Sequence, residues 1–181
     1  MYRPGVRVVG LDLGLGATGV AGPGGVLTVR PSPKLRGPAR LCSLRDTLVR
    51  LTSPGPDTLC VVEGYSYGSK GRSIFEIGEL GGVVRCALWD AGASILVVPP
   101  SVVKLYATGS GNKPKEFVWE AARRREPLVE TKDEADAWWL RQIGLRLVGA
   151  DDVAAVPVRN LAALDKLPSV LAPSGPVAVA R

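Results

Sequence analysis

Carboxylates are the side chains of this sequence best suited to chemistry, because the chain contains no histidine. The usual general base and the Ser-His and Cys-His nucleophile arrangements are therefore excluded, and hydrolysis would have to use carboxylates, lysine or metal. Asp12 stands near the end of a predicted strand beside Gly14, where backbone can approach a ligand closely. Glu63 ends an apolar run, where a charge is costly to bury without a partner.

A second pair of carboxylates, Asp133 and Asp136, lies at positions i and i+3 of a late helix and shares one face of it. Thr131 and Glu134 form a predicted capping box at its start. Singly, each carboxylate has an ordinary explanation, such as a turn, a loop start or compensation of the helix dipole. If the fold brings them together, their oxygen donors, without thiolate or imidazole, would select Mg2+ or Mn2+, and two ions about 4 Å apart could activate water and stabilise a leaving oxygen.

The elements that must position these residues alternate between strand and helix. Apolar patterning predicts strands at 6–13, 16–21, 26–29, 58–62 and 94–98, and helices at 41–51, 74–88, 100–106, 114–125 and 131–147. The first three strands read as an antiparallel meander, and the two later ones as buried parallel strands. We therefore predict an α/β fold with a mixed five-stranded sheet flanked by helices. Three glycines of the second helix, Gly78, Gly81 and Gly82, are expected to allow close helix packing.

Length and composition favour one domain over residues 1–150 and a partly helical or flexible C-terminal extension over 151–181. The chain has 46% hydrophobic and 22% charged residues, which excludes a largely disordered protein. No apolar run is long enough for a membrane span, so we expect a soluble, unexported, cytoplasmic protein. Cys42, Cys60 and Cys86 are expected to be buried structural thiols. The net charge of +6 fits a polyanionic partner.

Six short segments, in order along the chain, resemble the motifs of the RuvC family of Holliday junction resolvases. They are 10–14 (Gly-Leu-Asp-Leu-Gly), 18–19 (Thr-Gly), 61–63 (Val-Val-Glu), 80–83 (Leu-Gly-Gly-Val), 102–104 (Val-Val-Lys) and 133–137 (Asp-Glu-Ala-Asp-Ala). The resemblance covers residues 6–148 and implies a ribonuclease H-like fold. It also implies a homodimer that binds four-way DNA junctions and cuts two opposed strands, with Asp12, Glu63, Asp133 and Asp136 as ligands of two metal ions. The compact, basic, histidine-free chain looks most like a phage-type member, acting in the host cytoplasm.

The same resemblance implies structure-selective endonuclease activity on Holliday junctions and other branched DNA, leaving 5'-phosphate and 3'-hydroxyl ends. Lys104 and Lys113 match basic positions near the family's active site, and Lys113 is the predicted catalytic lysine, because it stands between a glycine-rich loop and a helix start. Further predicted DNA contacts are Lys115, Arg123, Arg124 and Arg125 on phosphates, and Tyr65, Tyr67, Lys70 and Arg72 at the branch point, with Tyr67 preferred for stacking. Trp138 and Trp139 are expected to serve core packing or a dimer face.

Three other interpretations stay open at this level. The 11–14 segment with Thr18-Gly19 also resembles the first phosphate motif of actin, Hsp70 and sugar kinases, but those proteins need two lobes, for which the chain is too short. A RuvC-fold ribonuclease would use the same metal chemistry on RNA. A non-catalytic junction-binding protein would keep the fold and the basic surface, although the presence of all four acidic residues argues against it.

Overall fold

The computed structural model describes residues 5–65 and 73–173. The strands are β1 (Arg7–Asp12), β2 (Thr18–Gly22), β3 (Gly25–Val29), β4 (Thr58–Glu63) and β5 (Ser94–Val98). The helices are α1 (Gly37–Thr52), α2 (Ser73–Asp90), α3 (Pro100–Thr108), α4 (Lys115–Arg123) and α5 (Lys132–Val148), followed by a 3-10 helix (Val158–Lys166). Within the described ranges, none of the helices combines the length and apolarity that crossing a bilayer requires.

The five strands form one mixed sheet in the order β3-β2-β1-β4-β5. The first three strands are antiparallel, whereas β4 is parallel to both β1 and β5. The predicted meander with two parallel strands is therefore confirmed. The register pairs Leu11 with Val62. Asp12 and Glu63 each follow that pair by one residue. The two carboxylates therefore lie side by side at the carboxyl ends of the neighbouring strands β1 and β4.

Apolar side chains cover both faces of the sheet, as the unbroken apolar runs of the central strands predict. On one face Val8 and Val61 pack with α3, α4 and α5, and on the other Val9 and Val62 pack with α1 and α2. The alternation of side chains along each strand produces this division. Trp138 and Trp139 are buried in the first layer, which confirms core packing for both.

Helix α5 lies unusually close to the sheet because glycines face it. A Cβ atom on Gly10 would lie 2.0 Å from the carbonyl oxygen of Ala137, and one on Gly19 would lie 2.0 Å from that of Asp133. Both distances are far below a normal contact, so these glycines permit the approach. The helix begins with the predicted capping box, in which Thr131 accepts from the Glu134 amide and the Glu134 side chain accepts from the Thr131 amide.

The chain after α5 packs against the domain as far as residue 173. Asn160 is buried and donates its side-chain amide to the carbonyl of Tyr106 at 2.8 Å. The Ala154 amide donates to Gln142 of α5, and Leu171 exchanges backbone hydrogen bonds with Ile95 on the outer edge of β5. The described part of the extension thus covers an edge strand that would otherwise present unpaired backbone groups.

Two predictions about side-chain environment are wrong. Cys42 and Cys86 are exposed and only Cys60 is buried, because the first two lie on the outward faces of α1 and α2. The glycines of α2 do not serve close helix packing: Cβ atoms at Gly78 and Gly82 would have no neighbour within 4 Å, and one at Gly81 would meet the ring and hydroxyl of Tyr65 instead.

Candidate active site

The four predicted carboxylates come from three elements that meet at one end of the sheet. Asp12 ends β1, Glu63 ends β4, and Asp133 and Asp136 lie in the first two turns of α5. The start of α5 packs directly over Gly19, which is the register partner of Asp12. The first turns of α5 therefore lie next to Asp12 at the end of β1. Asp12 and Asp136 are buried, whereas Glu63 and Asp133 are partly exposed.

Asp12 and Glu63 form a carboxyl pair within hydrogen-bonding reach of each other. Burial and then the charges of Asp12 and Asp136 raise the pKa of Glu63 to about 9. Burial and then the charge of Asp136 raise the pKa of Asp12 to about 6, against the opposing effect of Lys115. The pKa of both carboxyls is raised, and more for Glu63, so the pair retains a proton to higher pH than two isolated carboxyls would.

Asp136 is balanced by a lysine. The Nζ atom of Lys115 lies 2.8 Å from Oδ2 of Asp136, a buried oxygen that accepts no hydrogen bond of good geometry. The contact is therefore a close charge pair. Burial raises the pKa of Asp136, although the Lys115 ammonium opposes the rise. Burial alone would lower the pKa of Lys115, but the charges of Asp136 and Asp12 raise it above its ordinary value.

The lysine at the carboxylates is Lys115, which the sequence suggested only as a phosphate contact, and not Lys113. Lys113 is exposed, precedes α4, and places its Nζ 4.9 Å from the centre of the Phe117 ring. Lys115 is the first residue of α4 and reaches inward to Asp136. Lys104, on α3, is partly buried and close enough to lower the pKa of Asp136 against the raising effect of burial.

The other predicted DNA contacts divide into three groups. Tyr67, Lys70 and Arg72 lie outside the described residues. Tyr65 packs against α2, with its hydroxyl 3.1 Å from the carbonyl of Gly78. The arginines of α4 and its end are exposed but engaged: Arg123 stacks on Trp119, Arg124 pairs with Glu120, and Arg125 donates to the carbonyl of Ala155 and stacks on Trp139.

The carboxylate oxygens of the site are donors of the kind that a hard divalent cation prefers. Within residues 5–65 and 73–173, however, no three acidic or cysteine side chains are close enough together to coordinate one ion. All donors are carboxylate oxygens, and one of them, Oδ2 of Asp136, is buried without a proper hydrogen bond. The proton that Asp12 and Glu63 share would be released when a cation neutralises them. These residues therefore fit Mg2+ or Mn2+ in donor type and in charge.

Comparison with known proteins gives two sequence relatives. The chain is 30% identical to a crossover junction endodeoxyribonuclease RuvC of Zymomonas mobilis over 140 residues, covering 71% of this chain and 84% of that protein. It is also 30% identical to a protein of the same name from an Anaeromyxobacter species over 141 residues, covering 77% of this chain and 67% of that one. No protein-family model matches the sequence.

Two solved structures share the fold. A structure of Thermus thermophilus RuvC aligns with a TM-score of 0.59 and 22% identity, covering 80% of this chain and 97% of that one. The T. thermophilus protein in complex with a Holliday junction substrate aligns with a TM-score of 0.58 and 22% identity, covering 75% of this chain and 90% of that one. The predicted ribonuclease H-like architecture is confirmed by this likeness.

Proposed function

The chain belongs to the RuvC family of crossover junction endodeoxyribonucleases, and on that premise we propose that it is an enzyme that resolves Holliday junctions by hydrolysing phosphodiester bonds. The observation that carries the proposal is the meeting of Asp12, Glu63 and Asp136 at one sheet edge beside a lysine. Carboxyl groups held this close together in a largely buried site oppose one another's ionisation and so cost folding free energy, since like charges repel. Their presence is therefore best explained by a cation and a phosphate.

We further propose that Asp12, Glu63, Asp133 and Asp136 hold Mg2+ or Mn2+, two ions in each site. The bound ions would supply activation of water and stabilisation of the leaving 3'-oxygen, so the products carry 5'-phosphate and 3'-hydroxyl ends. Asp12 and Glu63 would hold the cation from the ends of β1 and β4. Asp133 and Asp136 would complete the ligand set from the first two turns of α5. Because both strands and the helix are fixed by core packing, the carboxylates are positioned before substrate arrives.

Lys115 is the proposed catalytic lysine. Its charge lies within 2.8 Å of Asp136, so it stands beside the place where a scissile phosphate must approach the carboxylates. A positive charge there would stabilise the negative charge that develops on the phosphate in the transition state. Lys104 adds to the same field, while Lys113, Arg123 and Arg124 are exposed on the surface where flanking phosphates would pass.

A homodimer follows from the proposed substrate, since two opposed strands can be cut in one binding event only if two active sites act together. We propose that the copies meet along the groove between α1 and α2, which has a volume of about 910 Å3. Its walls carry Arg45 and Arg50 together with Glu79 and Asp90, so a two-fold arrangement can match basic with acidic groups. Ala87 lines this groove, so Ala87→Glu would place a charge in the proposed interface. In analytical ultracentrifugation the variant should sediment as a folded monomer, and an unchanged dimer would mean that the interface lies elsewhere.

The proposed function is tested by cleavage of a four-way junction, a fork, a flap, a linear duplex and single-stranded RNA with Mg2+ or Mn2+. We expect the branched DNA substrates to be cut, and the junction to be cut symmetrically. Asp12→Asn and Asp136→Asn should bind the junction and not cut it. Normal cutting by both variants would overturn the proposal, and preferred cutting of RNA would replace it with a ribonuclease.

The protein is proposed to act in the cytoplasm, where its DNA substrate would be found. Its assignment to a phage-type branch stays a prediction, since both sequence relatives named above are bacterial proteins. Preference among junctions, forks and flaps would be set by contacts around the branch point. The substrate panel above measures that preference directly.

A further inference from the structure

We propose that Tyr65 is a positioning residue that fixes the backbone beside Glu63 by docking on α2, and that it does not stack on DNA bases. The inference rests on the proposed function, because it assigns Tyr65 a part in holding a ligand of the proposed metal site. It replaces the prediction from sequence, in which Tyr65 was an aromatic residue available at the branch point. The docked cluster consists of Tyr65, Gly78, Gly81 and Arg85.

The hydroxyl group of Tyr65 makes two hydrogen bonds to residues of α2. Its hydroxyl donates to the carbonyl of Gly78 at 3.1 Å and accepts from Nη2 of Arg85 at 2.8 Å. The Arg85 guanidinium lies 5.4 Å from the centre of the Tyr65 ring, and its Nε donates to the carbonyl of Gly81 at 2.9 Å. A ring that stacked on a base would have to give up these hydrogen bonds and the cation-π contact.

Gly81 makes room for the docked ring. A Cβ atom there would lie 2.4 Å from the Tyr65 hydroxyl oxygen and 3.1 Å from Cζ. The only other glycines of α2, Gly78 and Gly82, have open space at the same position. The absence of a side chain at Gly81 is thus matched to the presence of tyrosine at position 65, although the two residues are 16 positions apart.

The docked ring is connected to Glu63 through a single residue. The amide of Gly64 donates to the carbonyl of Val98 at 2.8 Å, which continues the β4–β5 ladder one residue beyond Glu63. A Cβ atom on Gly64 would lie 3.3 Å from the Val97 side chain, so the backbone there passes close to β5. The backbone of Glu63 is consequently held by the sheet on one side and by the docked Tyr65 on the other, which fixes the point from which its carboxylate projects.

The test compares variants that separate docking from stacking, using single-turnover cleavage of a junction and junction affinity. Tyr65→Phe keeps the ring and removes the hydroxyl contacts; docking predicts that cleavage slows by roughly tenfold to a hundredfold at unchanged affinity. Arg85→Gln and Gly81→Ala should act in the same direction. Gly22→Ala, where the added Cβ has no neighbour within 4 Å, is the matched control and should cut normally.

A double variant adds a test of the specific contact. If the methyl group of Gly81→Ala acts by displacing the Tyr65 ring, then adding it to Tyr65→Ala should cause no further loss, so the two effects are non-additive. Stacking predicts the opposite pattern: Tyr65→Phe cuts and binds normally, and Tyr65→Ala binds the junction more weakly. That pattern, or full additivity, overturns the proposal.

Amide hydrogen exchange at Gly64 gives a measurement that needs no cleavage. In Tyr65→Phe the Gly64 amide should exchange about tenfold faster, because its hydrogen bond to Val98 loses the support of the docked ring. Amides of β1 should be unchanged. If the wild-type chain cuts no junction, the proposed function fails. The exchange measurement still tests whether Tyr65 fixes the backbone beside Glu63 by docking on α2. An unchanged exchange rate of the Gly64 amide in Tyr65→Phe would refute the positioning role of Tyr65.

Discussion

Replacing Glu63 with glutamine tests the electrostatics of the carboxyl pair. The pKa of Glu63 is raised from 4.5 to about 9 in the folded protein. Between these values the folded chain keeps a proton that the unfolded chain has lost, so the free energy of unfolding falls as pH rises. From pH 6.5 to 8.5, two units at about 1.4 kcal/mol each predict a loss of roughly 3 kcal/mol for the metal-free wild type.

The chosen pH window isolates Glu63. The pKa of Asp12 is about 6, so Asp12 is largely ionised throughout, and the chain has no histidine that could titrate there. Glu63→Gln resembles the neutral acid and can still donate to Asp12. Its free energy of unfolding should therefore stay nearly constant from pH 6.5 to 8.5, and at pH 8.5 it should be more stable than the wild type.

The assay is urea denaturation in EDTA, followed by tryptophan fluorescence at pH 6.5, 7.5 and 8.5. Glu120→Gln is the control, since the Glu120 side chain is 54% exposed and pairs with Arg124 at the surface. Its stability should follow the wild-type pH dependence. Equal pH dependence for the wild type and Glu63→Gln would refute the reasoning, because it would mean that Glu63 is ionised in the folded protein.

Four further predictions concern the site and its frame. Lys115→Met should slow junction cleavage about a hundredfold at nearly unchanged affinity, whereas Lys113→Met should mainly weaken binding; equal effects on the cleavage step would contradict the assignment. Gly19→Ala should cost roughly 1–3 kcal/mol of stability and abolish cutting by pushing the start of α5 away, while Gly22→Ala should cost little in the same denaturation series. Thr131→Ala should lower the free energy of unfolding by about 1 kcal/mol through loss of the helix cap, and a change in activity without one in stability would argue for another role. Millimolar Mg2+ should raise the melting temperature more at pH 8.5 than at pH 6.5, because the bound ion replaces the proton of Glu63; no shift at either pH would count against a metal at this site.

Much of the fold could be predicted because its signals are local. Turn glycines divide the meander, unbroken apolar runs indicate the buried parallel strands, and the capping box fixes the start of α5 at Thr131. The exposure of Cys42 could also have been predicted from the sequence. On α1 the core positions Leu41, Leu44 and Leu48 leave residue 42 on the outer face, although the residue before it is a leucine.

The features that could not be predicted depend on contacts between distant segments. Whether Lys113 or Lys115 reaches the carboxylates depends on where α4 begins and on the direction of its first turn, and a shift of two residues reverses the answer. The docking of Tyr65 depends on a missing side chain at Gly81, which has the same appearance in the sequence as the two glycines beside open space. The close approach of α5 had a signal in the strand glycines Gly10 and Gly19, but only packing shows which helix they face.

The wide separation of the site residues along the chain has a consequence for synthesis in the cell. A ribosome delivers Asp12 and Glu63 long before Asp136, and the helix that carries Asp136 must then dock over Gly10 and Gly19. A nascent chain, or a fragment truncated before α5, has strand carboxylates and no complete cutting site. If these residues form the cutting site as proposed, DNA cleavage requires that α5 has been synthesised and has docked on the sheet, so chains that end before α5 should not cut DNA.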